Sequence, residues 1–107
     1  MKYLAILVLC TMSFISYADC GASDVSITSL YQYHDGTIFV NLDKSTNCSC
    51  AFPQRIAFNT NDKGYDFIKS MLLTAYATSK KIDVASNSDQ CEIHGNTARL
   101  TYLFLKP

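Results

Sequence analysis

The chain opens on an apolar run, Leu4-Ala-Ile-Leu-Val-Leu9, that continues through Phe14 and Ile15. Lys2 precedes it, and the small residues Ser16 and Ala18 flank Tyr17 at its end. A basic start, an apolar middle and a small-residue end are the order of a secretory signal. The pattern predicts a cleaved signal over residues 1–18 and a single domain over residues 19–107. A membrane anchor needs roughly 18 or more apolar residues, and this run is interrupted sooner.

Past Ala18 the pattern turns to short alternating segments. Val25, Ile27, Leu30, Tyr31 and Tyr33 mark a first strand rich in β-branched and aromatic residues. His34-Asp35-Gly36-Thr37 follows, and Asp-Gly between two such runs is a strong hairpin signal. Ile38, Val40 and Leu42 then alternate with Phe39 and Asn41 as a second strand, and residues 54–59 form a short third. Residues 64–78 read at helical spacing, with Tyr65, Ile68, Met71, Leu72, Ala75 and Tyr76 on one face. Asn59-Thr60-Asn61-Asp62 offers N-cap side chains before that helix. Phe67, Leu73 and Ala77 interrupt its polar side, which gives it a second apolar surface and points to self-association. A fourth strand over 81–85 and a fifth over 97–105 complete the order β-β-β-α-β-β. Five short strands with one helix between the third and fourth predict an α+β, mainly β fold, a small five-stranded Greek-key barrel of the OB type. An open antiparallel sheet with the helix on one face is the competing arrangement.

Charge narrows the partners. Nine basic and nine acidic side chains balance over the whole chain, and loss of Lys2 with the signal leaves a slightly acidic domain. Nucleic-acid binding calls for a concentrated basic surface, which is absent from this pattern. Nor does any apolar run in residues 19–107 suit a membrane span.

Cysteine usage agrees with export. Cys10 leaves with the signal, and Cys20, Cys48, Cys50 and Cys91 remain, an even number in a small exported domain. They are expected as two disulfides. Pairing Cys48 with Cys50 would close a strained ring, so one of them reaches Cys20 and the other Cys91, with the assignment open. The same residues with His94 offer a thiolate and imidazole set of the kind zinc or copper(I) takes. Oxidation of all four cysteines is the expected state in an oxidising compartment, so no metal and no cofactor are expected. A redox dithiol is disfavoured too, because Cys48 and Cys50 lack the Cys-x-x-Cys spacing at a helix start.

Catalysis finds little support. There is no Gly-x-Ser-x-Gly, Glu92 is the sole glutamate, and Asp35 is explained by turn chemistry alone. The chain is therefore expected not to be an enzyme. Tyrosine is frequent, and Tyr31 and Tyr33 lie on one face of the first strand, as core or as ligand surface. Tyr65, Tyr76 and Tyr102 are expected in the core.

The segment from Tyr65 to Val84 carries a resemblance. Its Ala75-Tyr76-Ala77-Thr78, followed by Lys80-Lys81 and a β-branched strand, resembles the helix and next strand of receptor-binding subunits of pentameric A–B bacterial toxins of the cholera type. Ser23-Asp24-Val25 is similar to the start of the first strand in subtilase-cytotoxin B subunits. The resemblance implies an OB-type barrel, secretion or a periplasmic location, homo-oligomers and recognition of a glycan or glycoprotein receptor. It carries over Ser23 as a glycan contact, beside the candidates Tyr31 and Tyr33. The expected function is thus a secreted non-catalytic binding module. The alternative is a periplasmic structural or protein-interaction domain with no sugar ligand.

Overall fold

The computed structural model describes residues 19–107; the signal assigned to residues 1–18 lies outside the described residues. Its elements are β1 (Cys20–Val25), β2 (Ile27–Gln32), β3 (Thr37–Leu42), β4 (Arg55–Asn59), α1 (Asp66–Thr78), β5 (Ile82–Ser86), β6 (Ala98–Arg99) and β7 (Tyr102–Leu105). These seven strands form two sheets, ordered β1-β5-β7 and β2-β3-β4-β6. The expected five-stranded barrel is incorrect, since the sheets do not close on one another. A single open antiparallel sheet is also excluded, because β4 and β6 pair in parallel within one of two sheets. The mainly β composition with one helix stands.

Two strands of the sequence reading are each divided in the structure, and backbone hydrogen bonding shows why. The expected first strand changes sheets at Ser26: Val25 pairs with Ile82 of β5, whereas Ile27 pairs with Leu42 of β3. Asp43 fixes the crossing, its carboxylate accepting from the Ser26 N–H and its own N–H donating to the Ser26 carbonyl. The expected fifth strand is divided in the same manner. The Leu100 N–H donates to Ala57 on one sheet, and the next N–H, of Thr101, donates to Ala85 on the other. Each amide must find an acceptor when buried, so a strand can serve two sheets only by breaking between them. β1 also crosses β5 closely at Gly21, where any Cβ would collide with the Val84 carbonyl.

The main core lies between the sheets and α1. Val25, Val40, Leu42, Ile56, Phe58, Leu72, Ala75, Ile82, Val84, Leu100 and Leu103 form one buried cluster. Leu72 and Ala75 are the buried residues of the helix, and Tyr65, Ile68 and Met71 pack partly against the cluster, as the spacing predicts. Tyr65 stacks on Phe58 and donates from its hydroxyl to the Leu100 carbonyl at 2.6 Å. Burial pushes its phenol above the usual range.

The helix differs from expectation at its start and on its surface. It begins at Asp66 without a side-chain cap. Asn59 and Asp62 instead close their own turn, where Asn59 Oδ1 accepts from the Asn61 N–H and the Asp62 carboxylate accepts from the Asn59 N–H. Tyr76 and Tyr102, expected in the core, are about half exposed, and Phe67 (73%) and Leu73 (61%) are more exposed still. Among the described residues no helix is long and apolar enough to cross a membrane.

The four cysteines among the described residues are oxidised, as Cys20–Cys48 and Cys50–Cys91. This resolves the open assignment. Both bridges grip the polar loop 43–54, one tying it to β1 and the other to the loop 87–97.

Candidate functional site

The side chains of β2, β3 and β4 alternate between the core and the opposite face. On that opposite face Tyr31 lies across from Phe39, and Phe39 across from Ala57. Phe39 faces away from the main core yet is only 1% exposed. It is covered by a layer of its own. Tyr31 stacks on it at 5.3 Å, while Tyr33 and His94 meet it edge-on at 5.0 and 5.3 Å. With Ala57 and Ile93 it makes a small second core beneath these rings.

Arg55 completes the layer. Its guanidinium carbon sits 4.2 Å from the Phe39 ring and 4.2 Å from the Phe52 ring. Two aromatic faces suit this flat, weakly hydrated cation. The loop 87–97 supplies its acceptors. Nε and Nη2 donate to Thr97 Oγ1 at 3.0 and 2.7 Å, and Nη2 also reaches Asn96 Oδ1 at 3.0 Å. Nη1 makes a longer contact of 3.4 Å to the Tyr31 hydroxyl. Tyr31, Phe52 and Arg55 border a cleft of about 520 Å³ whose other walls include Asn41, Ser45, Pro53 and Gln54. Its size is that of a small-ligand site.

Tyr33 and His94 form the other end of the layer. His94 Nε2 lies 3.1 Å from Asp35 Oδ2 and 3.4 Å from Thr37 Oγ1. The Asp35 carboxyl is held below its ordinary range, chiefly by the Thr37 backbone N–H and the Thr37 hydroxyl, with His94 adding less. Gly36, at φ 92°, gives the turn the left-handed residue that Asp-Gly promised. A hydrolytic triad needs the acid and the hydroxyl at opposite ring nitrogens. Here both meet Nε2, so the acid–imidazole–hydroxyl relay is not assembled.

Of the residues singled out from sequence, Tyr31 and Tyr33 come together on this layer and are exposed. Ser23 does not join them. It is exposed on β1, in the other sheet, beside a shallow depression lined by Asp19, Gly21, Asn47 and Ala85; Ser45 borders both hollows. The thiolate and imidazole set with His94 is not formed, because every one of its sulfurs is in a disulfide. Cys20 and Cys48 lie near Asp89, but as a disulfide they offer no thiolate. Arg55, Phe52, Phe39 and Asn96 were not anticipated. They come from separate elements, and the one local sign was Phe39 at an outward position of an alternating strand.

The chain matches no protein-family model and no curated protein sequence.

Proposed function

We propose that the mature chain is a secreted or periplasmic non-catalytic binding module that recognises a cell-surface glycan or glycoprotein receptor, a role like that of toxin B subunits. The observation that carries this is the exposed aromatic layer that runs from Tyr33 through Tyr31 to Arg55 and Phe52, where it opens on a polar cleft. Aromatic faces stack on the C–H faces of sugar rings, and Tyr adds a polar tip at low entropic cost. Amide and hydroxyl side chains at Asn41, Ser45 and Gln54 supply neutral donors and acceptors of the kind a saccharide uses. The layer is also held firmly, since the hairpin turn and the loop 87–97 meet through Asp35 and His94.

A second reading rests on a different surface. Phe67 and Leu73 project from α1 and are mostly exposed, which suits a protein partner or a second copy of the chain. A glycan array run with size-exclusion chromatography separates the two. The first reading expects wild-type protein to bind a glycan class and Tyr33→Ala to lose about tenfold or more of that binding, the loss of one stacked ring. Absence of any bound glycan, with a protein partner blocked by Phe67→Glu, would establish the second reading instead.

A further inference from the structure

The core face of β2, β3 and β4 is covered unevenly. Register sets Leu30, Val40 and Ile56 in one row across the three strands, and Gln32, Ile38 and Phe58 in the next. Val40 and Ile56 are fully buried, whereas Leu30 and Ile38 keep part of their surface. Together they floor an open groove of about 360 Å³ against α1, towards the hairpin turn. Leu72 and Leu73 supply its helical wall, and Leu73 is mostly exposed. No carboxylate lines the groove among the described residues. Its one charged group is Lys69, a helical turn before Leu73. Neutral partners steady that ammonium: Nζ donates to Thr60 Oγ1 at 3.2 Å and reaches the Thr60 carbonyl at 3.5 Å. Asp66 comes within 3.4 Å, but its side chain is wholly exposed, and water screens such a pair.

We infer that this groove binds a single-chain fatty acid, its carboxylate at Lys69 and its alkyl chain over Ile38 and Leu30 beside Leu73. The inference stands apart from glycan recognition, because the groove and the aromatic layer lie on opposite sides of the β2-β3-β4 sheet. Tyr31, on the edge strand, is the one residue that lines both hollows. Charge complementarity selects the occupant. An apolar trough with one cation at its margin matches a ligand that is apolar except at one anionic end. A lone ammonium beside one hydroxyl balances a head group of single charge, whereas a phosphate head would leave charge unmatched. The volume lies near the lower end for small-ligand sites, which suits one alkyl chain rather than two.

Isothermal titration calorimetry of the disulfide-bonded mature chain with octanoate, decanoate and dodecanoate, below their micellar concentrations, tests this. Saturable binding should tighten about tenfold with every two methylenes added. Decanol should bind about tenfold or more weakly than decanoate, for loss of the charge-assisted pair. Lys69→Gln should lower decanoate binding to the level of the alcohol and leave alcohol binding unchanged. Leu73→Ser should weaken acid and alcohol alike, and Phe67→Ser, outside the groove, should change neither. Methyl resonances of Ile38 and Leu73 should shift when decanoate is added. Equal binding of acid and alcohol, or shifts confined to other methyl groups, overturns the inference. Absence of saturable binding also overturns it, and self-association lost in Leu73→Ser would then assign the groove to a second copy of the chain. Should Lys69→Gln fail to fold, the comparison of acid with alcohol on wild-type protein decides alone.

Discussion

At the level of single residues, Asp35 shows how little of a site depends on unusual chemistry. Its carboxylate accepts from the Thr37 N–H at 3.0 Å within the turn and faces His94 across it. These contacts favour the charged form, so its folded-state value lies below the ordinary 3.8. The sign follows from linkage: a carboxyl with a depressed folded pKa contributes stability above its unfolded value and loses it as pH falls through the folded one. The Thr37 amide proton is therefore expected to shift with a midpoint below 3.8 in an NMR titration. A midpoint at or above that value, or the same titration in Asp35→Asn, would contradict the assignment. Tyr31 and Tyr33 were legible from sequence because alternation places them on one face. Arg55 was not, since its meaning comes from Phe52 and Thr97, which only the fold brings beside it.

At the level of elements, local signals located the hairpin at Asp35-Gly36 and the helix up to Thr78, where Ser79 adopts the left-handed conformation at φ 57°. Division of the outer strands was not legible. Val25-Ser26-Ile27 reads as continuous alternation, and nothing local tells that Ser26 turns to Asp43 rather than to a neighbouring strand. The helix start was misplaced for a related reason: the side chains of Asn59 and Asp62 accept from amides of their own turn and cap nothing. The loop 43–54 that lines the cleft and the loop 87–97 that holds Arg55 have little regular structure of their own, and a covalent bond between them replaces it. Changing both Cys50 and Cys91 to Ser is expected to cost about 2–4 kcal/mol of stability by denaturant unfolding. It should also weaken ligand binding, because Phe52 and Asn96 lie on the two loops so joined. A double variant with unchanged unfolding midpoint would show that the loops hold without the bridge.

At the level of the whole molecule, the two sheets share one core, and the aromatic layer sits outside it on the far side of β2, β3 and β4. This separation lets Tyr33 or Phe52 change without opening the packing around Phe58 and Leu100. The two disulfides add a property of connectivity. Cys20–Cys48 and Cys50–Cys91 close consecutive rings that neither interlock nor nest, with Ser49 alone between them. The molecule is a covalent figure-of-eight crossed at one residue. A backbone cut inside either ring leaves the two lobes linked, whereas a cut beside Ser49 separates them with both disulfides intact. Asp89 guards that crossing, its carboxylate accepting from both the N–H and the hydroxyl of Ser49. Limited proteolysis followed by non-reducing electrophoresis is expected to leave Asp89→Ala nicked into two lobes more readily than wild-type protein, and equal rates would show that the crossing needs no guard.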